Sequence, residues 1–257
     1  MTDARPACAV VTGAGSGIGR ALALAAADRG MELALCDRDE AALTETAALA
    51  SKRGAAVLSQ VFDVTDASAV GAFAGRVAQE CAPVSLTFAN AGILRMGPLR
   101  DTSIAAVRQM FEVNVIGALN VAQAFLPLLE QGGAGTLVIT GSTGSFAAYP
   151  GLGAYCASKH AVWALSESLS AELAETGSTT KVSLFVPGAV ATGIFDADAP
   201  DRPESPDAIP AHEAARIAFA GIAAGDRIIP THPASSQAIA DRFGQAATDL
   251  ARDYPEV

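Results

Sequence analysis

The chain has 257 residues, 51% of them hydrophobic and only 5% aromatic, enough to bury a core built mainly from Ala, Val, Leu and Ile. Its formal net charge of -10, with no run of Lys or Arg, argues against a nucleic acid or an anionic membrane surface as partner. The polar lead Met1–Pro6 lacks a signal peptide's apolar core, and glycine, charge or proline interrupts every apolar run before membrane-span length. Four scattered cysteines (Cys8, Cys36, Cys81 and Cys156) form no CxxC pair, so a reducing, cytoplasmic setting without structural zinc or disulfides is expected.

In chain order, Ala7–Thr12 is a compact apolar run that reads as a first strand. A glycine-rich turn follows, and then a helical stretch to about Arg29. Strands at Glu32–Cys36 and Ala55–Val61 alternate with helices at Glu40–Lys52 and Ala67–Glu80. Val84–Ala89 precedes a long helical region, Ile104–Leu129, broken near its start. Thr136–Thr140 leads to a helix at Ala154–Glu175, and Val182–Val186 is a sixth strand. Such alternation implies right-handed βαβ crossovers and a parallel sheet covered by helices on both faces, in one α/β domain spanning 1–257. Thr192–Pro210, rich in Pro and Asp, breaks the rhythm and reads as a flap over a pocket. A helix at Ala211–Ala224, a short strand around Arg227–Pro230 and a last helix at about 235–251 complete the order. Strand order in the sheet is beyond local pattern.

Between the first strand and helix lies Thr12-Gly13-Ala14-Gly15-Ser16-Gly17-Ile18-Gly19. Glycines there let the backbone turn tightly and approach a pyrophosphate, which sits at the positive end of the following helix. Asp37, 24 residues after Gly13 at the end of the second strand, is placed to accept ribose hydroxyls and to repel a 2'-phosphate. Arg38 keeps NADP open, but with no basic residue in the glycine loop the expected cofactor is NAD. The fold expected is therefore a Rossmann-type doubly wound parallel sheet.

The sequence resembles the classical short-chain dehydrogenases/reductases over nearly its whole length. Gly13, Ser16, Gly17, Ile18 and Gly19 fall in that family's glycine signature. Asp63-Val64 matches its adenine-contacting position, and Asn90-Ala91-Gly92 its NAG segment beside the cofactor. Asn114 matches the catalytic asparagine, and Ser142, Tyr155 and Lys159 match the catalytic serine and YxxxK pair. Pro187-Gly188-Ala189-Val190-Ala191-Thr192 matches the PG motif and the threonine at the nicotinamide carboxamide. The resemblance implies seven parallel strands, and a homo-dimer or homo-tetramer formed through the helices carrying Asn114 and Tyr155.

Tyr155 and Lys159 are four residues apart, on one face of a helix. A free phenol titrates near pH 10; a nearby ammonium is expected to favour phenolate, and the cationic nicotinamide of NAD+ to add to that effect. Tyr155 would then exchange a proton with an alcohol or ketone while hydride moves between the same carbon and the nicotinamide. Ser142 would hold the substrate oxygen, Lys159 the nicotinamide ribose, and Asn114, by family analogy, a water leading to Lys159. Leu94, Gly144, Phe146, Tyr149 and Phe195 are the expected substrate-side residues, with few fixed charges. They favour a secondary alcohol or ketone with a lipophilic or cyclic body. His160, His212 and His232 lack metal-ligand spacing and are read as surface or structural. The rival readings are an NADP-dependent carbonyl reductase and a non-catalytic NAD-sensing scaffold on the same fold.

Overall fold

The computed structural model describes residues 7–195, 205–233 and 235–251. The expected flap lies partly outside them, at 196–204, and so does the side chain of Phe195. The strands are β1 (Cys8–Thr12), β2 (Glu32–Asp37), β3 (Val57–Val61), β4 (Val84–Ala89), β5 (Thr136–Thr140), β6 (Lys181–Val186), the short pair β7 (Val190–Ala191) and β8 (Ile209–Pro210), and β9 (Ile228–Pro230). The α-helices are α1 (Gly17–Ala27), α2 (Glu40–Ser51), α3 (Ala67–Glu80), α4 (Ile104–Phe111), α5 (Gly117–Gln131), α6 (Gly153–Glu175), α7 (Ala211–Ala224) and α8 (Ser235–Leu250).

The main sheet has seven parallel strands in the order β3-β2-β1-β4-β5-β6-β9. Successive side chains of a strand point to opposite faces, and the core divides accordingly. Cys8 and Val10 join Ala34 and Cys36 beneath α3, α5 and α6, where Phe73, Phe125 and Val162 pack. Ala9 and Val11 join Leu33 and Leu35 beneath α1 and α7, against Leu22, Ala26 and Phe219. Burial on both faces explains why β1 reads as an unbroken apolar run rather than as an alternating one.

Helix starts follow local chemistry. Asp39 caps α2 by accepting from Ala42 N at 3.0 Å, and Asp66 caps α3 through Ser68 N at 2.9 Å and Ala69 N at 3.0 Å. No side chain caps α1 at Ser16, which leaves the backbone N–H groups at this end facing the crevice.

The break expected in Ile104–Leu129 is a π-helical turn, Glu112–Ile116, between α4 and α5. Wider turns of this kind recur at functional sites, and here the turn carries Asn114 inward, 1% exposed. By length and mean hydropathy, 1.4, Ile104–Gln131 could cross a bilayer, contrary to the expectation from its interruptions. Half of it is instead buried within this fold, with Val121, Phe125 and Leu129 in the core.

Strand order reverses between β1, which leads outward to β2 and β3, and β4, which leads to β5 and β6. A crevice outside the C-terminal strand ends at such a switch point is where ligands bind in open α/β sheets. The turns after β1, β4 and β5 and the end of β2 carry Gly13, Asn90, Ser142 and Asp37 to this crevice.

Candidate active site

The crevice is a cleft of about 920 Å³ running from Asp37, Arg38 and Asp63 at one end to Ser142, Tyr155 and Lys159. Gly13, Ser16, Gly17, Ile18 and Gly19 form part of its floor. Val64, Asn90, Ala91, Gly92, Pro187, Gly188, Val190 and Thr192 complete the walls of the expected cofactor half.

The glycine loop fits a diphosphate. Gly13 and Gly17 have φ of +66° and +50°, in the left-handed region. A Cβ on Gly13 would lie 2.9 Å from Ala91 Cα, and one on Gly17 would lie 3.1 Å from Thr192 Cγ2. Side chains at either position would crowd the neighbouring backbone or fill the cradle in front of α1. Asp37 is held in place from both sides: Oδ2 accepts from Gly15 N at 2.8 Å and Oδ1 from Asp39 N at 3.0 Å. As an acceptor-only group it has lone pairs left for ribose hydroxyls. Thr12 and Asn90 weld β1 to β4 under the cradle. Thr12 Oγ1 donates to Phe88 O at 3.2 Å and accepts from Asn90 N at 3.0 Å, and Asn90 Nδ2 donates to Thr12 O at 3.0 Å.

At the other end, Tyr155 and Lys159 lie in the first turns of α6, 8% and 4% exposed. The Lys159 ammonium is 5.8 Å from the Tyr155 ring centroid, and its Nζ donates to Thr140 O at 2.8 Å. Burial pulls the Lys159 pKa down to about 8, since desolvation disfavours the charged form. The expected phenolate is not the state of the free chain. Burial pushes Tyr155 up to about 12 and outweighs the lowering by its hydrogen bond with Ser142. Lys159 faces the ring and is fastened to a backbone carbonyl, which limits what it does at the hydroxyl.

Ser142 follows β5 and opens a capped 3-10 turn, Thr143–Ser145. Gly144 N donates to Ser142 Oγ at 3.1 Å, so the turn aims that hydroxyl into the cleft. Asn114 is fully engaged: Nδ2 donates to Ile93 O and Ser158 Oγ, both at 2.9 Å, and Oδ1 accepts from Ile93 N at 2.8 Å. It ties the π turn to the strand exit at Ile93 and to α6. A Cβ on Gly92 would meet Asn114 Oδ1 at 3.3 Å and Lys159 Nζ at 3.6 Å; both groups therefore border Gly92. Asn114 itself does not line the cleft, whereas its neighbour Val113 does.

On the substrate side, Leu94 and Tyr149 line the cleft, and Leu94 packs with Tyr155 and Met110. Two expectations are corrected. Phe146 is 5% exposed and turned into the core, its ring 4.6 Å from that of Trp163, while Arg242 donates to its carbonyl at 2.7 Å. The 3-10 turn rotates it away from Ser142. Gly144 is not a lining residue either. A Cβ there would lie 3.3 Å from Cys156 Sγ and 3.5 Å from a Tyr155 ring carbon, so its lack of a side chain lets Ser142 approach Tyr155.

Phe62, Arg95, Leu152 and Asp207 line the cleft without having been singled out, and so does His232, which the sequence placed among surface or structural histidines. Arg95, Asp207 and His232 make it more polar than expected. The segment after Gly92 carried a signal for Arg95 and Leu94 together, but nothing local marks His232. Its place depends on β9 joining the sheet edge beside β6.

Fold and cleft together define a doubly wound α/β protein with a dinucleotide-type crevice. The chain belongs to the short chain dehydrogenase family, whose model matches residues 7–203. It is 40% identical over 185 residues to the probable oxidoreductase EphD of Mycobacterium tuberculosis, covering 72% of this chain but only 31% of that protein. It is 42% identical over 189 residues to the galactitol 2-dehydrogenase (L-tagatose-forming) of Cereibacter sphaeroides, covering 72% of each. The short chain dehydrogenase/reductase of Burkholderia phymatum, solved in complex with NAD, superposes with a TM-score of 0.87 at 33% identity, over 100% of this chain and 99% of that one.

Proposed function

We propose that this chain is a nicotinamide-dependent oxidoreductase that prefers NAD and interconverts a secondary alcohol and its ketone. The observation that carries the reading is the Ser142–Tyr155–Lys159 cluster, buried at the end of a cleft whose other end is the glycine cradle and Asp37. Asp37 and Arg38 would flank the adenosine ribose, Gly13–Gly19 the diphosphate, and Asp63 with Val64 the adenine. Asn90–Gly92, Pro187–Gly188, Val190, Thr192 and Lys159 would border the nicotinamide half. When bound, the nicotinamide supplies the hydride acceptor or donor.

The chain's own residues handle the proton and the oxygen. Ser142 Oγ holds the substrate oxygen and steadies the charge that develops on it. In the reducing direction Tyr155 Oη delivers a proton to that oxygen. A phenol held at about 12 is already in the protonated state this requires at neutral pH. In the oxidising direction Tyr155 must receive the alcohol proton, so its pKa has to fall once positive charge enters the cleft. Leu94, Leu152, Tyr149 and Ile194 supply an apolar substrate wall beside the polar Arg95, Asp207 and His232; that wall supports a substrate with a lipophilic or cyclic body rather than a polyol of the kind named for the Cereibacter sphaeroides enzyme. We also propose a homo-oligomer, to be read by light scattering.

The test is a panel of alcohols with NAD+ and ketones with NADH, run on the wild type and on Tyr155→Phe. Loss of the proton group is expected to lower turnover by about 10²–10⁴-fold. Near-normal turnover by a folded Tyr155→Phe protein would sink the mechanism. Efficient turnover of polyhydroxylated substrates alone would sink the substrate assignment.

A further inference from the structure

His232 follows β9 and lies against the cleft wall, far in sequence from every residue assigned a role above. Its Nδ1 is 2.7 Å from Thr231 Oγ1, and its Nε2 is 2.9 Å from the backbone oxygen of Asp207. Gly188 N donates to the same Thr231 Oγ1 at 2.9 Å. Pro187 O in turn accepts from Thr143 N at 3.0 Å, in the turn that presents Ser142. An unbroken series of contacts therefore runs from the Ser142 turn through Pro187-Gly188 and Thr231 to His232, and on to Asp207 in the segment that pairs with β7.

For a neutral imidazole the donors and acceptors have one consistent arrangement. A backbone N–H only donates, so Thr231 Oγ1 accepts from Gly188, and its own hydrogen is free for His232 Nδ1. A carbonyl only accepts, so His232 Nε2 must carry the hydrogen that meets Asp207 O. All of these groups are satisfied by the neutral Nε2–H tautomer. The ring also explains a glycine. A Cβ on Gly188 would fall 2.7 Å from His232 Cγ, closer than packed atoms come. Gly188 is thus not only a turn residue near the cofactor; it makes room for the imidazole.

We propose that His232 is a positioning residue that sets the distance between the Pro187-Gly188 wall and the 205–209 wall of the cleft. Both Asp207 and Gly188 line that cleft. A second tie, Ile209 N to Ala189 O at 3.0 Å, holds the same two segments where β7 pairs with β8. His232 adds a tie between the same segments, through Thr231 Oγ1 to Gly188 on one side and to Asp207 O on the other, and its ring nitrogens bond neither Tyr155 nor Ser142.

The kinetic part of this inference rests on the dehydrogenase reading; its structural part does not. Nitrogen-15 spectra of the imidazole should report the Nε2–H tautomer. His232→Ala should raise KM for the alcohol about tenfold, the scale of one lost hydrogen bond to a wall, with kcat within about threefold. Hydrogen exchange at the Ala208 and Ile209 amides should quicken. His232→Gln, whose amide can still reach Asp207 O, should recover more than His232→Asn. Gly188→Ala should harm the wild type more than it harms His232→Ala, because the second protein has no ring to strike. An Nδ1–H tautomer, unchanged KM and exchange, parallel losses in KM and kcat, or equal Gly188→Ala effects in both backgrounds would each overturn the proposal. If the wild type turns over no alcohol or ketone, the dehydrogenase reading falls, and the tautomer and exchange results still decide the role of His232.

Discussion

Lys159→Met separates what the site costs the fold from what it does. The amine is 4% exposed, and burial draws its pKa from 10.5 to about 8. A lowered cation pKa means that the unfolded chain binds the proton more tightly, so the charged residue is a liability below pH 8. The drop from 10.5 to about 8 corresponds to about 3 kcal/mol at pH 7. Removing the amine leaves Thr140 O without its 2.8 Å donor, a cost of about 1–3 kcal/mol for a buried acceptor. The balance is a gain of up to about 2 kcal/mol, or up to about 4–6 °C in Tm for a chain of this size. Between about pH 8 and 10.5 the wild type sheds its penalty as pH rises, so the advantage of Lys159→Met at pH 9.5 should shrink by about 2 kcal/mol. Calorimetry at the two pH values, with turnover measured alongside, checks this. A Lys159→Met protein that is less stable at pH 7, or equally advantaged at both pH values, would refute the claim that burial dominates the amine.

Other outcomes follow from the same geometry. Tyr155, raised from 10 to about 12 by burial, holds its proton longer folded than unfolded. The wild type should therefore lose about 2 kcal/mol across pH 10–12 that Tyr155→Phe keeps, measurable by denaturant titration beside the phenolate absorbance. Asp37→Ser removes the acceptor held by Gly15 and Asp39. It should move the ratio of kcat/KM for NAD over NADP toward NADP by at least about tenfold, as expected for a hydrogen bond to a charged group; an unmoved ratio would count against the ribose role. Asn114→Ala leaves both polar groups of Ile93 without their partner and takes from Ser158 Oγ the bond it accepts, though not the one it donates to Tyr155 O; it should destabilise the fold by about 2–4 kcal/mol in urea. A change below about 0.5 kcal/mol would mean the π turn does not depend on that side chain.

Much of the fold was legible in the chain because its signals are local. Val84–Ala89, Thr136–Thr140, Ala67–Glu80 and Ala211–Ala224 begin and end where periodicity and capping place them, since burial period and end chemistry are set by neighbouring residues. The π turn was legible only as a break, because an extra residue in a helical turn leaves no distinct composition. The short β7–β8 pair escaped notice for a related reason: two residues carry no period.

By itself the sequence determined the alternation of strands and helices, the glycine turn between the first strand and helix, and the four-residue spacing that puts Tyr155 and Lys159 on one helical face. Only the tertiary structure decided the strand order that opens the crevice at β1 and β4. It alone turned Phe146 into the core, set His232 against Gly188, and buried Tyr155 deeply enough to keep it a phenol. Spacing along a helix is fixed by backbone geometry, whereas desolvation and cross-chain packing depend on everything that folds around a residue.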